Sequence, residues 1–271
     1  MPREQTQKRN QKGKARDFRA LHEGDPFLIP NPWDAGSARV LEALGFKALA
    51  TTSSGFAFTL GRLDGGVTLD ELADHIRILD QATGLPVSAD LENGFGPRPE
   101  DAALAITRAA EAGAVGGSIE DYDPAGEIYP LEHATERVAA AAEAARTLDF
   151  PFTFTARAEN HIRGNPDLDD TIARLQAYER MGADVLYAPG LGSADEIRAV
   201  TQATSKPLNV LARPGLSMNE IVEAGAQRVS VGGALAFVAV GAFAAAAEEV
   251  RDRGDFSSLN VRLPIRRWLS G

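Results

Sequence analysis

The chain contains no cysteine among its 271 residues. Disulfide bonds, thiolate metal ligands and cysteine nucleophiles are therefore excluded. Long apolar runs are also lacking: the longest, residues 234–247, is too short to span a bilayer and is followed by Glu248 and Glu249. Positive charge is in deficit, with a formal net charge of −10, which argues against nucleic acid or an anionic membrane as a partner. We expect a cytoplasmic protein.

The amino-terminal segment differs in composition from the rest of the chain. Its first 17 residues carry six Lys or Arg against two acids, and they lack the apolar core that a signal peptide needs. This composition predicts a disordered basic tail over residues 1–17. Residues 18–271 show no break in composition and are expected to form a single domain.

One pattern repeats along this domain: a helical stretch, then a Gly or Pro, then a short apolar or β-branched run, as in Ala112-Gly113-Ala114-Val115. Each such Gly suits the left-handed residue that ends a helix. The pattern predicts eight strands, near residues 27–30, 47–52, 86–91, 115–119, 152–157, 184–188, 207–211 and 227–231. Short strands that alternate with helices predict a parallel sheet, and eight units favour a closed (β/α)8 TIM barrel. A doubly wound open sheet is the alternative, but its Gly-x-Gly-x-x-Gly fingerprint is missing after the first strand.

A carboxyl-terminal extension follows the eighth predicted strand. Residues 234–253 are expected to form a helix with an almost continuous apolar body, and apolar residues continue as far as Leu269. This surface either docks on its own barrel or forms a subunit interface, and the composition fits both equally.

Acidic residues stand where predicted strands end. Asp64 follows the second strand, Asp90 and Glu92 follow the third at i and i+2, and Glu120 ends the fourth. Because barrel strands present their carboxyl ends at one mouth, these carboxylates should converge and repel one another. Mg²⁺, or alternatively Mn²⁺, would relieve that repulsion, since both ions accept oxygen ligands. The structural alternative is that acids at strand ends cap helices, and Asp64 is nearly as well suited to a turn.

Other side chains at the expected mouth could bind or transform a substrate. Arg157 ends the fifth strand and offers a planar fork for a carboxylate or phosphate. His161 is either an ordinary loop residue or a proton carrier. The catalytic candidates are therefore Arg157, Glu120 and His161. Substrate-binding candidates offer hydroxyls, backbone N–H groups, an amide, a guanidinium or an aromatic wall, and they are Ser53, Ser54, Gly55, Trp33, Asn209 and Arg157, although packing is the commoner role for an aromatic such as Trp33.

This set of groups suits the stabilisation of an enolate on a bound 2-oxo acid, with the metal as Lewis acid.

Several motifs occur together in one order, and that order resembles the phosphoenolpyruvate mutase/isocitrate lyase superfamily from about residue 18 to residue 250. The motifs are Asn31-Pro32-Trp33-Asp34-Ala35, Ser53-Ser54-Gly55, Asp90-Leu91-Glu92 with Gly94-Phe95-Gly96, Ile119-Glu120-Asp121, and Ala156-Arg157. The resemblance implies a barrel with Mg²⁺ at its mouth and substrates that are small 2-oxo acids, dicarboxylates or their C–C adducts. It also implies a homodimer or homotetramer whose subunits exchange carboxyl-terminal helices.

The resemblance also implies roles for individual residues. Asp64, Asp90, Glu92 and Glu120 match the acids around the metal. Ser54 and Gly55 match the turn that binds the substrate carboxylate, and Arg157 matches the substrate-binding arginine. At the second acid of the pair many members have Asp, whereas this chain has Glu92.

The chain departs from the superfamily after Ile119-Glu120-Asp121. Lyases of this type carry a mobile loop with a proton-transferring Cys there, whereas this chain passes through only a short segment, residues 122–130, to the next predicted helix. We expect a Mg²⁺-dependent lyase or decarboxylase that acts on a 2-oxo or 2-hydroxy (di)carboxylate through an enolate. The alternatives are phosphoenolpyruvate or phosphonate mutase or hydrolase chemistry, and a noncatalytic 2-oxo acid binding protein.

Overall fold

The computed structural model describes the backbone of residues 2–269 and the side chains of residues 11–269. Eight parallel strands form one sheet in the order β1-β10-β9-β8-β7-β4-β3-β2. They are β1 (Phe27–Ile29), β2 (Leu49–Ala50), β3 (Val87–Asp90), β4 (Gly116–Glu120), β7 (Thr153–Arg157), β8 (Val185–Tyr187), β9 (Leu208–Leu211) and β10 (Arg228–Ser230), and each coincides with one predicted strand. A short antiparallel hairpin, β5 (Tyr122–Asp123) and β6 (Glu127–Ile128), follows β4 and was not predicted.

The sheet closes between its first and last strands. The Ala50 N–H donates to the Pro30 carbonyl at 3.1 Å. The Asn31 side chain donates to the Thr51 carbonyl at 2.9 Å and accepts from the Val231 N–H at 3.1 Å. One buried amide therefore links β1, β2 and β10, and the predicted TIM barrel is confirmed.

Helices surround the barrel and follow its strands. They are α1 (Pro2–Leu21), α2 (Ala35–Ala43), α3 (Ser53–Thr59), α4 (Leu69–Ala82), α5 (Pro99–Ala112), α6 (Leu131–Thr147), α7 (Leu168–Met181), α8 (Ala194–Ala203), α9 (Met218–Glu223), α10 (Ala234–Arg253) and α11 (Ile265–Leu269), with a 3-10 turn at Ser257–Leu259. Reciprocal capping boxes fix the start of α4, through Thr68 and Glu71, and of α8, through Ser193 and Glu196. Among the described residues, no helix is long and apolar enough to cross a membrane.

The amino-terminal segment is helical rather than disordered. In α1, Ala15 and Phe18 are fully buried, and Lys14 pairs with Asp80 at 2.7 Å while both side chains are buried. The Phe18 ring occupies space that a side chain on Gly116 of β4 would fill. The expectation of a disordered tail is therefore wrong for residues 11–17, because spaced apolar residues and a paired cation bury one face of this basic helix. The side chains of residues 1–10 lie outside the described residues.

His22, directly after α1, lies at the amino-terminal end of the barrel. The Nδ1 atom of His22 lies 2.8 Å from the Phe18 carbonyl, and its Nε2 atom lies 3.2 Å from Nη1 of Arg228. Because a guanidinium only donates, Nε2 has to accept and the proton sits on Nδ1. Burial, together with the Arg228 charge, lowers the pKa of His22 from 6.5 to about 3.

We predict that His22 makes folding stability depend on pH below 6.5. Between pH 6.5 and 3 the unfolded chain binds a proton at His22 that the folded chain does not, so stability falls as pH falls. From pH 7 to pH 5 the wild type should lose about 2 kcal/mol more than His22→Gln, which keeps an acceptor for Arg228 but does not titrate. Urea unfolding at both pH values measures this. His133→Gln, on the outer side of α6, is the control, and equal losses in wild type and His22→Gln would contradict the prediction.

The carboxyl-terminal extension is largely exposed in the single chain. Within α10 only Ala236 is buried, while Phe237 and Phe243 are 49% and 74% exposed. Beyond α10, α11 packs against α2, where Arg39 donates to the Leu269 carbonyl at 2.8 Å. The end of the chain thus docks on its own barrel, whereas the apolar body of α10 stays uncovered.

Candidate active site

Strand register brings three predicted site residues together at the carboxyl ends of neighbouring strands. Glu120 of β4 is paired with Arg157 of β7, and Asp90 of β3 is paired with Ser118 of β4. As a result, Nη1 of Arg157 lies 3.2 Å from Oε2 of Glu120 and 3.8 Å from Oδ1 of Asp90. These contacts follow from parallel pairing and could be expected from the sequence.

Arg157 belongs to a closed ring of four alternating charges. Glu120 contacts Arg157 and also Arg163, at 3.6 Å. Glu159 pairs with Arg163 at 2.9 Å and with Nε of Arg157, which completes the ring. Glu159 is fully buried and Glu120 nearly so. We call these four residues the charge ring.

Two members of the charge ring, Glu159 and Arg163, were not singled out from the sequence. Both lie in the loop after β7, and the Arg163 guanidinium carbon lies 3.8 Å from the ring centroid of Tyr122 in the β5 hairpin. The hairpin and this loop thus meet over the mouth. The spacing Arg157-x-Glu159 could have identified Glu159 from the sequence. Arg163 reaches the site through its long side chain, and no local sequence pattern predicts that contact.

Asp121 serves the structure rather than the chemistry. Its carboxylate accepts from the Glu159 N–H at 2.8 Å, from Arg174 at 3.1 Å and from the Tyr178 hydroxyl. It therefore anchors α7 and fixes the backbone of the charge ring.

The loop after β3 holds Glu92 in a strained conformation. Glu92 and Phe95 have φ of 48° and 62°, values that non-glycine residues rarely adopt. Arg137 of α6 holds this loop in place, because its guanidinium donates hydrogen bonds to the carbonyls of Asn93, Gly96 and Arg98. Sequence reasoning missed Arg137, whose three acceptors are backbone atoms.

Two acids at the mouth, Glu92 and Glu120, resist ionisation. Burial, followed by the charges of Asp90 and Asp64, raises the pKa of Glu92 to about 8 against the opposing effect of Arg157. Burial likewise raises the pKa of Glu120, against the lowering effect of Arg157. Asp64, on the loop after α3, therefore acts on Glu92 through its charge, as the sequence-based grouping requires.

The predicted turn at Ser53, Ser54 and Gly55 forms the first turn of α3. The Ser53 N–H donates to Oδ2 of Asp90 at 3.2 Å, so the turn and the acids share one site. A side chain on Gly55 would meet Cβ of Trp33 at 3.2 Å. Trp33 thus packs behind the turn, which is the packing role that the sequence left open.

Two predicted residues lie apart from the charge ring. Both polar atoms of the Asn209 amide are engaged, Nδ2 with Ser230 at 3.0 Å and Oδ1 with Arg228 at 2.8 Å. His161 points towards α8, where Nε2 lies 3.8 Å from Glu196. The structure therefore places Asn209 inside the barrel and does not bring His161 to Arg157.

The acids at the mouth fit a divalent cation in one particular mode of binding. Among the described residues, no three His, Asp or Glu side chains converge closely enough to hold one ion together. Mg²⁺ does not require this, because it commonly takes one or two carboxylates and fills its other positions with water and substrate oxygens. Asp90 with Glu92 suits that mode, and a cation would relieve the repulsion by Asp90 and Asp64 that adds to the effect of burial on the pKa of Glu92.

We predict that Arg157→Met destabilises the fold by about 3–5 kcal/mol at pH 8, because Glu120 and Glu159 lose their shared cation. The pKa of Glu120, already raised by burial, would then rise further, so the folded protein binds more protons and the loss should shrink as pH falls towards 5. Urea unfolding at both pH values measures this. Arg198→Met, which removes a surface pair with Asp195, should change stability by less than about 1 kcal/mol. A loss that is small or independent of pH would contradict the prediction.

Fold and site together define a (β/α)8 barrel with a carboxylate–arginine mouth. The model of the phosphoenolpyruvate phosphomutase family matches residues 18–251, and the chain belongs to this family. The superfamily expected from the sequence, phosphoenolpyruvate mutase/isocitrate lyase, is thus confirmed.

Relatives of known sequence and structure agree with this membership. A 2-methylisocitrate lyase of Halalkalibacterium halodurans is 32% identical over 74% of this chain and 68% of its own. An oxaloacetate decarboxylase of Rhodopseudomonas palustris is 30% identical over 79% of this chain and 76% of its own. The crystal structure of a putative lyase/mutase from Burkholderia cenocepacia is 54% identical, covers 97% of both chains and superposes with a TM-score of 0.93. The chain is accordingly an enzyme of a superfamily of carbon–carbon lyases.

Proposed function

We propose that this protein is a Mg²⁺-dependent enzyme that breaks a C–C bond of a small 2-oxo or 2-hydroxy (di)carboxylate and stabilises the enolate so formed. The observation that carries this proposal is the convergence of Asp90, Glu92 and the charge ring at one barrel mouth. The named activities of the 2-methylisocitrate lyase and oxaloacetate decarboxylase relatives support it.

Each group has a task in this proposal. Asp90 and Glu92 would hold Mg²⁺, with Asp64 and Glu120 contributing charge around it. When bound, the ion supplies a Lewis acid for the developing enolate oxygen. Arg157, oriented by Glu120 and Glu159, would bind a substrate carboxylate, and the turn at Ser54 and Gly55 would bind the same anion from the opposite side.

The lack of the loop cysteine that transfers the proton in the lyases of the superfamily favours decarboxylation over cleavage of a 2-hydroxy acid. A 2-hydroxy acid needs a base to take its hydroxyl proton before the C–C bond breaks. Loss of CO₂ from a 3-carboxylate leaves the bonding electron pair in the enolate without such a base, and a solvent proton then completes the 2-oxo acid.

We predict that oxalate, a planar mimic of a 2-oxo acid enolate, binds the wild type only when Mg²⁺ is present. Asp90→Asn should weaken this binding at least tenfold, about 1.4 kcal/mol, because the variant loses an anionic ligand. Isothermal titration of oxalate with and without Mg²⁺ measures the effect. Asp74→Asn, an exposed acid on α4 that pairs with Arg77, is the matched control.

Turnover completes the test. A panel of 2-oxo dicarboxylates and 2-hydroxy acids, assayed for CO₂ and 2-oxo acid release, should show Mg²⁺-dependent activity that Asp90→Asn abolishes. Oxalate binding that ignores both Mg²⁺ and Asp90→Asn would refute the metal assignment. Binding without turnover of any panel member would favour a noncatalytic binding protein.

We also propose that subunits pair through the uncovered face of α10, in a homodimer or homotetramer with exchanged helices. Its exposed Phe237, Val238 and Phe243 continue into Phe256, Leu259 and Val261, each more than 45% exposed. Burial of an apolar surface of this kind contributes about 25 cal/mol per Å². The described residues of a single chain leave this face uncovered, whereas a second copy would cover it.

We predict that truncation after Gly254 dissociates or aggregates the protein, because it removes apolar residues next to α10 while the barrel strands remain. Light scattering at micromolar concentration is the measurement, and a wild-type mass close to the 28.8 kDa of one chain would refute the pairing. Phe243→Glu, on the exposed face, should weaken association without truncation, whereas Ile78→Glu, exposed on α4, should not.

A further inference from the structure

Arg228 is a buried cation at the axis of the barrel. It begins β10 and its side chain crosses the interior to β7, where Nη2 donates to the Thr155 hydroxyl at 3.0 Å. On the way Nε donates to Oδ1 of Asn209 at 2.8 Å, and Nη1 donates to Nε2 of His22 at 3.2 Å. The residue is 5% exposed. All three acceptors are neutral.

The charge of Arg228 is not compensated by the protein around it. Within residues 11–269 no ion pair includes Arg228, and the one ionisable side chain that favours its charged form is Tyr187. His22 cannot neutralise it, because Nε2 accepts only while the imidazole is uncharged. Buried arginines are ordinarily paired with an anion, since an isolated charge is costly to remove from water.

A second buried arginine shows the contrast within the same molecule. Arg137 also donates to neutral oxygens, yet Asp101, Asp121 and Asp123 all act on it and favour its charged form. No carboxylate acts in this way on Arg228. The missing counter-charge is therefore a property of this place in the barrel and not of every buried arginine in the chain.

A polar cavity of about 60 Å³ adjoins Arg228 inside the barrel. Hydroxyl side chains from three strands and the segment after β2 line it, namely Ser88, Ser118, Ser230 and Thr51. Hydroxyls are suitable donors to an anion. Since about 10–15 Å³ of such space is enough to hold one water, the cavity has room for a monatomic anion of similar size.

Asp90 and Arg157 also border this cavity, at its end towards the mouth. Asp90 is engaged there with the Ser53 N–H and lies near Arg157, and it is not among the groups that act on Arg228. The end of the cavity at Arg228 thus combines positive charge with hydroxyl donors, whereas Asp90 borders its other end.

We propose that Arg228 and the surrounding hydroxyls bind a small monovalent inorganic anion of chloride size inside the barrel, beneath the candidate active site. The anion supplies the counter-charge that the protein lacks at this position. It also fixes Arg228, and through Asn209 and Ser230 it supports the floor of the pocket. The site does not depend on the reaction proposed above, because none of the residues that would hold Mg²⁺ contacts Arg228.

Bromide is the direct probe, because it replaces chloride and scatters anomalously. Wild-type crystals soaked in sodium bromide should give an anomalous peak inside the barrel, within hydrogen-bonding reach of the Arg228 guanidinium. Full occupancy by water, with no anomalous signal at that position while surface bromides are visible, would overturn the proposal. This experiment needs no variant and so does not depend on whether an altered chain folds.

Stability in solution provides an independent test. At constant ionic strength, each tenfold replacement of gluconate by chloride beyond the dissociation constant should raise the thermal midpoint of the wild type by about 2–4 °C. Arg228→Met should abolish the chloride dependence, whereas Arg198→Met on the surface should keep it. A chloride effect of the same size in Arg228→Met would show general salt stabilisation and overturn the site.

Discussion

The charge ring of Arg157, Glu120, Arg163 and Glu159 is the interaction on which the mouth of this barrel depends. Buried charges are tolerated only when each has partners of opposite sign with good geometry. Here every member touches at least two opposite charges, so the removal of any one deprives its two neighbours of an opposite charge. The ring therefore ties the end of β4, the end of β7 and the following loop into one rigid unit.

This constraint reaches beyond the four residues. Asp121 holds the backbone of Glu159 and is itself held by Arg174 and Tyr178 of α7. Arg163 stacks on Tyr122, which places the β5 hairpin over the site. A helix, a hairpin and a loop thus converge on the same carboxylates, and the proposed substrate-binding arginine is positioned before any ligand arrives.

The sequence was sufficient for the barrel and for the acids at its mouth. Gly or Pro follows most of the helices, and Gly113 and Gly182 end theirs with left-handed backbones. A parallel sheet then gathers the residues at its strand ends. The residues that the sequence did not reveal are those whose partners lie on other elements of the fold. Arg137, Arg163 and Arg228 reach partners on other elements through long side chains, and neither spacing nor composition records where such a side chain ends.

The amino-terminal helix illustrates the same limit. Its excess of Lys and Arg is a usual sign of disorder, yet a basic segment folds when its apolar residues and one cation find buried partners. Ala15, Phe18 and the Lys14–Asp80 pair make those buried contacts. They cannot be identified from the sequence, because they form only against the folded barrel.

Arginines lie at two levels of the barrel interior, Arg157 and Arg163 at the mouth and Arg228 at the opposite end, which we call the floor. At the mouth, Arg157 and Arg163 are balanced by carboxylates, so a bound metal ion and an anionic substrate would add charges to a nearly neutral ring. At the floor, Arg228 is surrounded by neutral groups and keeps its full charge. Because the field of an uncompensated buried charge is weakly screened, the floor favours negative charge in the pocket above it. A reaction that gathers negative charge on an enolate is the kind that such a barrel would assist, and an anion bound at Arg228 would set how strongly it does so.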